Sequence, residues 1–187
     1  MSDITSDDAE VTPFLPIFTK SSGTLLEFYL SGEIAAPDAY TNWFHVMRNA
    51  SSRDTIVLHI NSVGGNASTA IQFLRVLSET DATVVASVEG DCMSAATMIF
   101  LSADTVEISP HSIFLFHNYS GGAVGKGGEV FEKVKHLQRW SEDLLRSVYS
   151  GFLTKEEIED ILTGKDIWMT AAEVHDRVQK KAKRSKK

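Results

Sequence analysis

The chain alternates short β-branched, apolar runs with stretches in which apolar residues recur at helical spacing. Leu25, Leu26, Phe28, Leu30 and Ile34 mark a first strand over residues 24–34, ending near Gly32, and Pro37 opens a helix carrying Trp43, Phe44 and Val46. Residues 55–60 predict a second strand, Asn61-Ser-Val-Gly-Gly65 a turn, and Ile71, Leu74 and Leu77 a helix over 68–77. Residues 82–88 predict a third, buried strand that breaks at Gly90, ahead of helix formers that open at Ser94. Two successive strand–turn–helix units imply a sheet of parallel type, with ligands gathered beyond the carboxyl ends of its strands. Ser94, at a strand-to-helix turn, suits a nucleophile beside free backbone N–H groups, although the stretch taken alone favours an N-cap and only partners elsewhere in the chain reverse that.

Further along, residues 105–108 and 112–117 predict two short strands, the second ending on His117. The glycine-rich run 120–128 lacks the Gly-Lys-Ser/Thr ending of a phosphate loop and is expected to be extended backbone able to add a strand to a bound peptide. From 129 to 152 apolar residues at Val130, Val134, Leu137, Leu144, Val148 and Phe152 predict the longest helix. About 24 residues would span roughly 36 Å, more than the ~30 Å of a small domain, so part of it should project. Thr154-Lys-Glu-Glu157 has capping-box spacing for a short helix to about residue 162. A turn then leads to Asp166, and Ile-Trp-Met-Thr-Ala-Ala-Glu173 is expected to start a last helix.

With 187 residues, 43% hydrophobic and 23% charged, the pattern fits one α/β domain over 23–178, flanked by an N-terminal arm (1–22) and a basic tail (179–187). The net charge is −7 although residues 180–187 hold six positive charges and no acid, so the body is more acidic than the total and argues against nucleic acid as main partner. The tail reads as solvated and disordered. No apolar run approaches the ~18 residues of a membrane span, and the N-terminus is acidic, so a cytoplasmic protein without a membrane partner is expected. A single cysteine, Cys92, permits no internal disulfide or cysteine-based metal site, and is expected to be a buried packing residue. His59 is expected to be a sheet histidine; His45, His111, His136 and His175 lack a partner acid at useful spacing. No metal is expected.

Four ordered motifs carry a resemblance. Asn61-Ser-Val-Gly-Gly65, Gly90-x-x-x-Ser94, Phe116-His117-Asn118 followed by Gly121-Gly122-x-x-Gly125, and Asp166-Ile-Trp-Met-Thr-Ala-Ala-Glu173 together resemble the proteolytic subunit of the caseinolytic (Clp) protease over residues 25–174. The resemblance implies the α/β fold shared with crotonases, a spiral of ββα units with a projecting handle helix (about 119–152). It implies Ser94 as nucleophile, His117 as general base and Asp166 as its orienting acid, with the N–H groups of Gly65 and Ala95 as oxyanion hole. Ser120, Gly121, Gly122, Ala123, Val124 and Gly125 would pair with substrate backbone. Two stacked heptameric rings enclosing a chamber, polypeptide substrates delivered by a hexameric AAA+ ATPase, and no cofactor in this chain are implied as well.

Departures from the family pattern lie at Ala95-Ala96, usually Met-Gly; at Val63, usually proline; and at Asn118-Tyr119, usually Gln-Pro. Both termini also depart, which puts ATPase docking and ring number in question and suits a divergent, phage-encoded version. Alternatives of the same fold remain: a Ser/Lys dyad using Lys126, Lys133 or Lys135 as in signal-peptide-peptidase-like enzymes, a capsid-maturation protease, a non-catalytic ring subunit, or an acyl-CoA hydratase-like enzyme.

Overall fold

The computed structural model describes residues 23–185; the expected N-terminal arm lies outside them. Six strands form one sheet, β1 (Leu25–Ile34), β2 (Thr55–Gly65), β3 (Thr83–Met93), β4 (Thr105–Ile108), β5 (Ile113–Phe116) and β6 (Ile167–Thr170), in the order β1-β2-β3-β5-β6 with β4 also paired to β3. All pairs are parallel except β5–β6. The helices are α1 (Thr41–Asn49), entered through a 3₁₀ turn at Pro37–Tyr40, then α2 (Ala67–Glu79), α3 (Ala95–Phe100), α4 (Gly127–Tyr149), α5 (Lys155–Leu162) and α6 (Ala171–Ser185).

Side chains of a strand alternate between faces, and here only one face is packed. Phe28 and Leu30 of β1, Ile56, Leu58 and Ile60 of β2, and Val84, Ala86 and Val88 of β3 are buried. They form one core with Phe44, Phe73 and Phe100 from the helices. On the opposite face Leu25 and Tyr29 are exposed. His59 stacks on Tyr29 at 4.5 Å there, and its ring meets Glu89 at 2.7 Å and Glu27 at 3.2 Å. It is a sheet histidine, as expected.

Both central strands outrun the sequence expectation, and for one reason. β2 continues through the segment expected as a turn, and β3 continues past Gly90 to Met93. Between the Ile60–Val88 and Ser62–Cys92 pairs the register shifts, so two extra residues of β3 bulge out, and Asn61 Oδ1 accepts the Asp91 N–H at 3.0 Å. The bulge turns β3 from its first neighbour to its second: residues through Val88 pair with β4, and those from Asp91 pair with β5. Ser94 is thereby carried to the sheet edge where β5 ends.

Two other expectations are corrected. Residues 167–170 form a strand rather than a helix start, because Ile167, Trp168 and Thr170 favour extended backbone and pair with β5. α6 begins one residue later under its own box, in which Thr170 N–H donates to Glu173 Oε2 at 2.8 Å. The basic segment is helical through Ser185, which its run of Lys, Ala and Arg explains. At 23 residues α4 is about 35 Å long. Its buried residues, Ser141, Leu145 and Tyr149, all lie in its second half, while Phe131 and Val134 of the first half are exposed.

The expected capping box opens α5: Glu157 N–H donates to Thr154 Oγ1 at 3.1 Å, and Thr154 N–H to Glu157 Oε2 at 2.8 Å. Arg177 of α6 also grips Glu157 with two bonds of 2.6 and 2.7 Å. The Arg177 guanidinium and the Thr154 N–H hold the Glu157 carboxyl at about 2, below its ordinary 4.5. A depressed carboxylate stabilises the fold above its unfolded-state value and loses that contribution as pH falls through the folded one. Glu157→Gln is therefore expected to cost about 1–2 kcal/mol at pH 7 in urea unfolding, a figure discounted for solvent, and to flatten the loss of stability between pH 4.5 and 2. Identical pH profiles for the two proteins would contradict the clamp.

Candidate active site

Ser94 has φ 54° and ψ −125°, and it is the only non-glycine residue with positive φ among those described. Such a conformation costs on the order of 1–3 kcal/mol and persists only where neighbours fix it. Its N–H donates to Leu115 O of β5 at 2.8 Å, and its C=O accepts both the Thr97 N–H at 3.0 Å and the Thr97 Oγ1 hydroxyl at 2.6 Å. The peptide units on both sides of the Cα are thus tied down. Although Ser94 occupies the N-cap position of α3, its side chain makes no capping bond. The hydroxyl is left free.

Glycines let β2 come this close. A Cβ on Gly64 (φ 89°) would lie 2.6 Å from Met93 O and 2.6 Å from Ser94 Cβ. One on Gly65 (φ 146°) would lie 2.5 Å from Ile34 O. So Gly64 abuts the serine, whereas Gly65 is small because the β1 backbone lies against it.

A cavity of about 390 Å³ opens in front of Ser94. Gly65, Ala95 and His117 line it together with Ser94, as do Asn118, Tyr119 and Ser120 after β5, and Trp140 and Leu144 from α4. Gly121, Gly122, Ala123, Val124 and Gly125 continue from it as irregular backbone outside any ladder, with Val124 fully exposed. Asp166 is exposed and is not among the lining residues. It stands one step beyond the Phe116–Ile167 pair that closes the β5–β6 register, where His117 is its counterpart on β5. The topology therefore brings all three residues to one edge. Among the described residues, however, no hydrogen bond joins Ser94 to His117 or His117 to Asp166.

Lys126, Lys133 and Lys135 do not line the cavity; Lys135 sits over the Phe131 ring on the projecting half of α4. Cys92 is fully buried in β3, and burial pushes its thiol well above the ordinary range, so it is unreactive. No group of three or more His, Cys, Asp or Glu among the described residues is placed to hold a metal ion. The cavity wall supplied by Met98, Trp140, Leu144 and Leu145 escaped the sequence reading. Its signal was present as apolar residues four apart, Trp140, Leu144 and Val148, but the same spacing reads as plain core.

A serine on a strained strand-to-helix turn that lines one cavity with a histidine is compatible with a serine-type hydrolase. Comparison with known families narrows the class: the sequence matches the family model described as Clp protease over residues 29–177. The chain belongs to the Clp protease family, whose members are peptidases that assemble as multi-subunit rings, and its α/β fold is of that type. No curated protein is matched by the sequence. No helix among the described residues is long and apolar enough to cross a membrane.

The approach of β2 to Ser94 leaves no room at Gly64, and the backbone there is left-handed. Gly64→Ala is expected to lower stability by at least ~2 kcal/mol in chemical denaturation. A variant that unfolds at the parental midpoint would show that the contact is slack.

Proposed function

We propose that the chain is a serine endopeptidase subunit that cleaves unfolded polypeptides or peptides within a self-compartmentalised ring. The observation that carries the reading is the backbone of Ser94: a strained, doubly anchored residue whose hydroxyl is not used as a cap and faces the same cavity as His117. A serine hydroxyl is a weak nucleophile at neutral pH and needs a base that can take and return its proton. In this reading His117 removes the Ser94 proton as Oγ attacks the scissile carbonyl, then delivers it to the departing amine. Water, activated by the same imidazole, hydrolyses the acyl-enzyme and restores the serine. Asp166, opposite His117 just past the end of the β5–β6 ladder, fixes the tautomer and stabilises the imidazolium.

The N–H groups of Gly65 and Ala95 are assigned to the oxyanion. Ala95 is the first residue of α3, so its N–H has no acceptor within the helix. Residues 120–125 are assigned to the substrate backbone. Side chains built on Gly121 or Gly122 would meet nothing closer than 3.6 Å, so nothing in the described chain demands glycine there and a bound strand would. The chemistry is complete with hydroxyl, imidazole and carboxylate, and no cofactor is assigned to it.

Assembly is supported by two uncovered surfaces: a mainly parallel sheet with one open face, which such sheets rarely leave to solvent, and the exposed Phe131 and Val134 of α4. The proposal takes these as contacts within and between two heptameric rings, in the cytoplasm, fed by an AAA+ ATPase. Closure of the serine–histidine–aspartate relay is assigned to that assembled state, since such bonds commonly tighten only in the working complex. The open relay of the single chain is also what a non-catalytic ring subunit would show, and that is the second reading.

Turnover of a fluorogenic peptide by the assembled protein separates the two. Ser94→Ala and His117→Ala are each expected to lower kcat by about 10⁴-fold or more, with peptide binding retained. Losses under tenfold for both, or no turnover by the parent, would leave the structural reading standing.

A further inference from the structure

The oxyanion peptide of Ser94 and Ala95 is held from behind by a pair of hydroxyls, and the second of them comes from the far end of α4. Thr97 Oγ1 lies 2.6 Å from Ser94 O and 2.7 Å from the Tyr149 hydroxyl. A carbonyl oxygen only accepts, so the one Thr97 proton goes to Ser94 O and Tyr149 must donate to Thr97. Both side chains are fully buried. Burial also raises the Tyr149 phenol, so it keeps its proton and stays a donor throughout the physiological range.

This direction of donation has a geometric consequence. In a trans peptide the C=O of Ser94 and the N–H of Ala95 belong to one rigid plane and point in opposite directions. Fixing the carbonyl on its buried side therefore fixes the N–H on its cavity side. The hydroxyl of Tyr149 acts on this plane through Thr97, while its ring packs edge-on against Phe116 at 5.5 Å, the residue that precedes His117. One side chain at the docked end of α4 thus touches the support of both the serine and the histidine. The exposed half of the same helix is some five turns away.

We infer that Thr97 and Tyr149 are positioning residues: the Tyr149–Thr97–Ser94 hydrogen-bond chain sets the orientation of the Ala95 N–H toward the oxyanion and makes the reactivity of Ser94 depend on how α4 is seated. The inference rests on the peptidase reading above. It goes further in assigning two residues that never touch substrate, and in predicting that they act on turnover rather than on binding.

The test uses the full-length assembled protein and two readouts, the rate at which a fluorophosphonate modifies Ser94 and the kcat and KM for a fluorogenic peptide, with the melting midpoint measured alongside. Thr97→Val keeps the shape and removes the hydroxyl. It is expected to slow phosphonylation and kcat by about 10- to 100-fold, less than the ~10²–10³ seen when an oxyanion donor is deleted outright, with KM within about threefold. Thr97→Ser returns the hydroxyl and most of the rate. Tyr149→Phe gives a smaller loss, since Thr97 still reaches Ser94. The double variant Thr97→Val with Tyr149→Phe leaves no buried hydroxyl unpaired, so its melting midpoint recovers relative to Thr97→Val while its rate stays low.

A purely structural pair would instead recover rate and midpoint together in the double variant, and that outcome overturns the inference. So does a Thr97→Ser protein as slow as Thr97→Val. If Thr97→Val does not assemble, Tyr149→Phe carries the test alone, and a Tyr149→Phe protein that reacts at the parental rate overturns the inference. A parent that is phosphonylated while every variant reacts at its rate removes this inference alone; a parent that is not modified at Ser94 removes the peptidase reading and the inference with it.

Discussion

A single residue held in a conformation that costs on the order of 1–3 kcal/mol organises this chain around itself. Ser94 stays at positive φ because its N–H is bonded to β5 and its C=O to Thr97, and because Gly64 leaves room for its Cβ. Each of these contacts depends on something larger. The β5 contact exists because the bulge opposite Asn61 swings β3 from β4 onto β5; the Gly64 contact exists because β2 extends five residues past the point where an ordinary strand of this pattern would stop. The same swing puts His117 at the edge where β5 ends, and the antiparallel return of β6 puts Asp166 beside it. Strand pairing, more than any side-chain bond, brings the three residues to one edge of the sheet.

The uncovered surfaces belong to the same economy of structure. A sheet buried on one face only, and a helix docked by its second half only, leave Leu25, Tyr29, Phe131 and Val134 exposed on one chain. The family is generally one of ring assemblies, and the proposed function assigns these surfaces to neighbouring subunits. Tyr149 ends the helix whose beginning is exposed, and its hydroxyl meets Thr97, which bonds the Ser94 carbonyl.

Much of this was legible in the sequence. The β-branched runs located β1, β4 and β5 to within a residue or two and the starts of β2 and β3, the Thr154/Glu157 box placed α5, and four ordered motifs indicated the family that residues 29–177 match. What escaped was set by pairing partners rather than by local pattern. Asn61 to Gly65 carries turn residues yet runs as strand, because β1 accepts it with its glycines at positive φ. Residues 167–170 look like a helix entrance and become a strand because β5 offers an open edge; the Thr170/Glu173 box was the signal that the helix begins later. Thr97 and Tyr149 carried no motif at all. A tyrosine at an apolar helix position does announce a hydroxyl in need of a partner, but nothing local names the partner fifty residues away.

The most direct measurement is a crystal structure of the assembled protein after reaction with a fluorophosphonate. The account predicts phosphorus on Ser94 Oγ, the phosphonyl oxygen within about 3 Å of the Gly65 and Ala95 N–H groups, and His117 bonded on its far side to Asp166. A modified Ser94 whose oxygen points away from both amides, or a His117 that meets neither neighbour, would contradict it.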